Sequence, residues 1–245
     1  MNEEKFTGKA DLYDKYRPTY PRELIDWLYD KTKAETVADI GAGTGKFTKC
    51  LTAKPWKITA VEPNDDMRSK LKGIEGITAV KGSAEETGLE DGSVDLVTAA
   101  QAFHWFDREK FKTECKRIIK NHGNVAVIYN ERAEDLFMKE RDGIFLKFCG
   151  ISRIKHIADQ RAEEVFDMLV GEGYFSSMDY FELENNKPTS MEEYVGRELS
   201  CSYALKNGNP DFEDFKGELE SLFKRYEKNG VIIVNSAAKC YLGKF

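Results

Sequence analysis

Two rhythms of apolar positions alternate along the first half of the chain. Short, nearly unbroken apolar runs at 36–40, 57–62, 77–81, 94–100 and 124–129 have the length of buried strands. Between them, apolar residues recur at three- and four-residue spacing, as Phe47, Cys50 and Leu51, then Met67 and Leu71, then Phe111, Cys115 and Ile118. That spacing predicts amphipathic helices, with Asn64 and Asp107 placed to cap two of them. A further helix at 21–30, with Leu24, Ile25 and Leu28 on one face and Pro21 at its first position, precedes the series. Glu90-Asp91-Gly92-Ser93 marks a turn before the fourth strand, and Asn121-His122-Gly123 ends a helix before the fifth. Strand and helix in alternation predict an α/β chain with a doubly wound, mostly parallel sheet and right-handed crossovers.

Beyond residue 130 the rhythm changes. Charged helical stretches at 134–149 and 161–170 lead to a strand around 177–183, two helices at 190–199 and 211–228, and a closing pair of strands within 231–245. The expectation is one domain holding a seven-stranded sheet whose last strand is antiparallel, with a helical cap. Residues 1–33 form an N-terminal cap, 34–130 the core, 131–230 a lid with acceptor insertions and a strand, and 231–245 the C-terminal strands.

Composition narrows the function classes. The 245 residues are 41% hydrophobic and 33% charged, enough apolar material for a sizeable core. A net charge of -6 disfavours a general nucleic-acid binder, since phosphate backbones reward a basic face. Five scattered cysteines, with no CxxC pair and no histidine cluster, read as reduced packing thiols and suggest no metal site. The N-terminus carries no apolar signal segment, and no apolar run approaches the roughly 20 residues of a bilayer span, so a cytoplasmic location without membrane contact is expected.

The candidate chemistry begins at VADIGAGTGKFT, residues 37–48, where a strand runs into three alternate glycines. A phosphate-binding P-loop requires glycine where Ile40 stands and Ser or Thr where Phe47 stands, so that reading fails. A dinucleotide fingerprint requires a third glycine where Lys46 stands, which weakens it. The remaining reading is a GxGxG turn that makes room for the methionine part of S-adenosylmethionine (SAM). Glu62, 21 residues beyond Gly41 at the end of the second strand, is placed to accept ribose hydroxyls. It suits NAD equally well and so selects a ribose.

With AVEPN at 60–64, KGSAEETGLEDGSVDLVTAAQAFHWF at 81–106 and RIIKNHGNVAVIYN at 117–130, the chain resembles the class I SAM-dependent methyltransferases, in the family's order and spacing. The resemblance implies that Gly41, Ala42 and Gly43 line the methionine moiety, that Glu62 takes the ribose, and that Pro63 and Met67 flank the adenosine. It places Ser83, Ala84 and Glu85 at the adenine edge, with Ser83 where many relatives carry Asp. Gln101 and Ala102 come under the methionine, close to the transferred methyl, and Asp39 braces the glycine loop or touches the cofactor.

Ahead of the core, in Tyr13-Asp14-Lys15-Tyr16-Arg17-Pro18-Thr19-Tyr20-Pro21, Pro18 pushes Arg17 and Pro21 pushes Tyr20 out of the α region, so the chain is held extended between two short helices. The run looks like the N-terminal cap of small-molecule methyltransferases related to trans-aconitate methyltransferase. That likeness implies a cap closing over SAM, with Arg17 on the cofactor carboxylate and Tyr13 and Tyr16 shielding the site. An aromatic arm packed on the sheet edge is the other reading.

His104, just past the fourth strand, is the candidate base or substrate-orienting group, or else a wall residue beside Phe103, Trp105 and Phe106. His122 and His156 read as surface residues. QAFHWF lacks both the Pro-Pro-aromatic corner of relatives that methylate exocyclic amines of DNA bases and the Pro-Cys of cytosine C5 methylation. The expected reaction is methyl transfer from SAM to a small-molecule O, N or C nucleophile. An NAD-linked oxidoreductase, an RNA or protein methyltransferase and a non-catalytic SAM-binding protein are the alternatives.

Overall fold

The computed structural model describes residues 10–150, 169 and 174–245. The five apolar runs become strands β1 (Thr36–Ile40), β2 (Lys57–Val61), β3 (Ile77–Val80), β4 (Val94–Ala100) and β5 (Ile119–Arg132). Each of the first four is followed by a link that returns the chain to the same sheet edge. Helices α1 (Ala10–Tyr16) and α2 (Arg22–Thr32) precede them; α3 (Lys46–Leu51), α4 (Asp65–Leu71) and α5 (Arg108–Ile118) lie between them. Asn64 and Asp107 do cap α4 and α5, each side-chain oxygen accepting an amide proton, from Met67 and Lys110 respectively. Pro21 stands one place outside α2, as its extended N-cap.

Period-two alternation builds the two layers of core. Val37, Leu96, Ala126 and Ile128 face α2 and α3 through Leu24, Leu28, Phe47 and Leu51. Their strand neighbours Ala38, Val97, Val125 and Val127 face Phe103, Phe111, Cys115 and Ile118 on the opposite side. A chain buried on both faces reads as continuous apolar runs, which is why these strands are recognisable.

The second half supplies α6 (Leu136–Cys149), β6 (Ser177–Glu184), β7 (Lys187–Ser190), α7 (Met191–Leu199), α8 (Phe212–Tyr226), β8 (Val231–Val234) and β9 (Ser236–Lys244). The main sheet has seven strands in the order β3-β2-β1-β4-β5-β9-β6. β9, the last strand, is antiparallel to both neighbours, and the preceding pairings are parallel. The cap has its own apolar cluster, in which Phe137, Phe145, Tyr194, Phe215 and Phe223 join α6, α7 and α8. All five cysteines are free thiols, and Cys115, Cys201 and Cys240 are buried in packing positions. Among the described residues, no helix is long and apolar enough to cross a membrane.

Two expectations need correcting, and one stretch lies outside the described residues. The Asn121-His122-Gly123 turn does not close α5; β5 already begins at Ile119, and these residues form an irregularity between the pairs Val94–Ile119 and Leu96–Asn124, with His122 at φ +77°. The closing strands do not pair with each other, because β8 pairs with the unforeseen β7 in a separate two-stranded sheet. The stretch at 161–170 lies, apart from Leu169, outside the described residues, as does His156.

Candidate active site

β1, β2 and β4 end together, and in an open parallel sheet that edge is where a ligand cavity forms. After β1 the chain turns through Gly41, Gly43 and Gly45 with φ of +68°, +59° and +86°. A Cβ on Gly41 would meet that of Ala102 at 2.8 Å. On Gly43 a Cβ would meet nothing within 4 Å, because this glycine opens into a cavity of about 270 Å³. A side chain there would stand in the space a ligand needs.

The Glu62 carboxylate, 7% exposed, faces this loop. One oxygen accepts the Gly43 amide at 2.8 Å and the other accepts the Asn64 amide at 2.9 Å. Both oxygens keep lone pairs, so a fixed, buried acceptor is offered to hydroxyl groups. Asp39 is tied from both sides, accepting the Thr48 hydroxyl at 2.5 Å and the Thr98 hydroxyl at 2.9 Å. Burial pushes its carboxyl up to about 6, against the lowering effect of the two hydroxyls. Asp39 therefore links β1 to α3 and β4 and also lines the cavity.

On the far wall, Ser83 Oγ accepts the amides of Glu85 and Glu86 at 3.2 and 3.1 Å, closing its own turn. Its hydroxyl proton is what it has left to offer. The turn is fastened from outside: Glu114 accepts the Thr87 amide at 2.8 Å and hydroxyl at 2.6 Å, and Glu85 accepts the Asp107 amide at 2.9 Å. Gln101, at the end of β4, holds the left-handed backbone at φ +55° and donates from Nε2 to the Asn130 carbonyl at 2.9 Å. A bulky residue in that region is uncommon and costs energy, and it concentrates at functional sites.

A second cavity of about 310 Å³ opens on the other side of Gln101. Tyr13, Tyr20, Lys46 and Gln101 line both. Residues 17–21, between α1 and α2, run alongside, where the Thr19 carbonyl accepts from Asn130 at 3.3 Å and Asn185 at 3.0 Å.

Of the residues named from the sequence, Tyr13, Asp39, Gly41, Ala42, Gly43, Glu62, Pro63 and Met67 line the first cavity, as do Ser83, Ala84, Glu85, Gln101 and Ala102. Three do not. Tyr16 turns away: its hydroxyl donates to Glu192 at 2.9 Å, and its ring occupies the space a Cβ on Gly196 would need. Arg17 lines the second cavity instead, donating to Ser200 Oγ at 3.0 Å and Cys201 Sγ at 3.4 Å on the end of α7. The arm docks on the cap helix, which the sequence of the arm alone does not encode. His104 lines neither cavity. It lies in the 3₁₀ turn Phe103–Trp105, which sends Trp105 into the first cavity and stacks the His104 ring on Tyr129 at 6.0 Å. Its partner Tyr129 itself lines the second cavity.

Sequence reasoning missed Lys46 as a lining residue, having weighed it only against a third glycine. Burial pushes its ammonium down, as expected of a half-buried cation at the junction. It also missed Arg132, Arg141 and Arg197, which line the second cavity. Only Arg132 carried a signal, its place at the carboxyl end of a core strand.

A doubly wound sheet with a glycine turn and a buried acid at its carboxyl edge defines the nucleotide-cofactor class of α/β proteins, and its 3-2-1-4-5-9-6 strand order narrows that class. Comparison with known proteins completes the assignment. The family described as "Methyltransferase domain" matches residues 38–127. An uncharacterized methyltransferase of Schizosaccharomyces pombe is 32% identical over 89% of this chain and 87% of its own length. An uncharacterized methyltransferase of Mycobacterium tuberculosis is 39% identical, but the match spans only 54% of each chain, about half the relative's length. Among solved structures, one from Anaeromyxobacter dehalogenans, assigned to the type II methyltransferases, superposes with a TM-score of 0.63 at 22% identity, covering 94% of this chain and 98% of its own. The YcgJ protein from Bacillus subtilis superposes at 0.55 with 17% identity over 92% and 100%. The structural likenesses carry the fold; the sequence matches show that the chain belongs to the methyltransferase family.

Proposed function

We propose that the chain transfers a methyl group from SAM to a small-molecule acceptor, with the cofactor in the glycine-loop cavity and the acceptor in the cavity across Gln101. One observation carries this reading: two cavities of ligand size meet at the strained end of β4 and share Tyr13, Tyr20, Lys46 and Gln101.

The residues fit an adenosyl cofactor with an amino-acid tail. The open face of Gly43 leaves room for close approach, and Glu62, pinned by two amides, accepts ribose hydroxyls. Met67 and Pro63 flank the adenosine, and the Ser83–Glu85 turn presents its hydroxyl and backbone to the adenine edge. Lys46 is the cation nearest the junction and suits the tail carboxylate.

When bound, SAM supplies a methyl group on a sulfonium whose departure leaves a neutral thioether, so the transition state disperses charge. The chain's task is then to align acceptor and methyl and to keep water out. Tyr13, Tyr20, Trp105 and Phe106 supply apolar shielding around the junction. No described side chain at the junction is placed as an obligatory base, and an acceptor already ionised at neutral pH needs none.

The test is a thermal-shift comparison of SAM, S-adenosylhomocysteine and NAD. SAM and S-adenosylhomocysteine should raise the melting temperature and NAD should not. Stabilisation by NAD alone would replace this reading with a dinucleotide enzyme.

A further inference from the structure

More cations than carboxylates line the second cavity, with Lys46 and Lys139 beside its arginines and Glu131, Glu134 and Asp142 against them. Arg17, Arg132, Arg141 and Arg197 all line it. Glu198, fully buried beside it, pairs with Arg132 at 2.7 Å and with Arg141 at 2.6 Å. Arg141 is further satisfied by Asp142 at 2.8 Å and by the Tyr203 hydroxyl at 3.0 Å. These two arginines are therefore spent. Arg17 donates to Ser200 Oγ and Cys201 Sγ, and among the described residues no carboxylate lies within ion-pair distance of it.

Arg197 is the exception that points to a ligand. It is 8% exposed, its Nε has no acceptor, and among the described residues no carboxylate lies within ion-pair distance. Burial, and then the neighbouring charges of Arg132 and Arg17 against the opposing pull of Glu198, push its guanidinium well below the usual arginine range. A buried, uncompensated cation destabilises a fold, and replacing it with an apolar side chain is commonly stabilising. Its position in a cavity wall gives that cost a purpose. A guanidinium is a planar fork that matches two oxygens of one carboxylate.

We propose that Arg197, with Arg17 in electrostatic reach, anchors a carboxylate group of the methyl acceptor. This rests on the second cavity being the acceptor site, and it narrows the acceptor to a small organic acid. Arg132 and Arg141, held by Glu198, fix the wall against which Arg197 is presented. Gln101, shared by both cavities, marks the side on which the cofactor lies.

The experiment uses the full chain saturated with S-adenosylhomocysteine, into which benzoate, phenylacetate and hexanoate are titrated, each beside its primary amide. The acids should stabilise the protein and the amides should not. Arg197→Met should weaken acid binding roughly 30-fold while leaving S-adenosylhomocysteine affinity unchanged. The same variant, free of ligand, should melt at a higher temperature, a gain that a purely structural arginine would not give. Arg197→Lys should retain part of the acid preference.

Acids and amides binding alike, or Arg197→Met binding the acids as the wild type does, would overturn the anchor. Failure of the wild type to bind S-adenosylhomocysteine is seen before any acid is added and would overturn the cofactor reading instead.

Discussion

The cavity at the glycine loop takes its shape from backbone. Glycines at positive φ hold it open, and one carboxylate is clamped by two amides donated within three residues of sheet edge. The cavity across Gln101 takes its shape from long side chains, with four arginines arriving from the end of α1, the end of β5, α6 and α7. The first arrangement suits a ligand whose form does not vary; the second is easily redrawn by exchanging side chains. A fold that keeps its cofactor and changes its acceptors needs that division of labour.

Substitutions that act on one cavity and spare the other test the division. The largest effect is expected for Gly43→Val, which forces a β-branched residue to φ +59° and places its methyl groups in the proposed cofactor cavity. S-adenosylhomocysteine affinity, read by calorimetry, should fall about 100-fold or more with the fold intact. Next, Glu62→Ala removes the proposed acceptor of the ribose hydroxyls and should cost about 30-fold in the same titration.

A smaller change is expected at the seam between arm and cap. Gly196→Ala puts a Cβ at 2.4 Å from ring carbons of Tyr16 and should lower stability by about 1–3 kcal/mol, because the ring must move. Limited proteolysis should then cut at residues 17–21 sooner than in the wild type.

The smallest effect is a slope with pH. Asp39 titrates near 6 when folded, above an ordinary unfolded carboxyl, so between those values the folded state binds the extra proton. Stability must therefore fall as pH rises across about 4 to 6, at no more than about 1.4 kcal/mol per pH unit, and level off above. Asp39→Asn should flatten that slope in melting curves taken across the window.

The same contrast explains what could be read from the chain before its structure. The core strands and the glycine loop are local: Val37–Ile40, the glycines and Glu62 lie within one βαβ unit, and buried runs and turn glycines announce themselves. β7 was illegible because Lys187–Ser190 pairs with β8 some forty residues onward and includes a proline that suits only an edge. Arg17 and Tyr16 were misplaced because what receives them, Ser200, Glu192 and Gly196, lies nearly two hundred residues away. Arg197 sits on an amphipathic helix, where a solvated arginine is the ordinary expectation, yet the structure buries it.

The most direct test of the account is a crystal structure of the chain with S-adenosylhomocysteine. The account predicts the ribose hydroxyls on the Glu62 carboxylate, the adenine against the Ser83–Glu85 turn, and the sulfur directed past Gln101 toward the second cavity. Density for a diphosphate against Gly41 and Gly43 in place of the amino-acid tail, or a ligand seated away from Glu62, would contradict it.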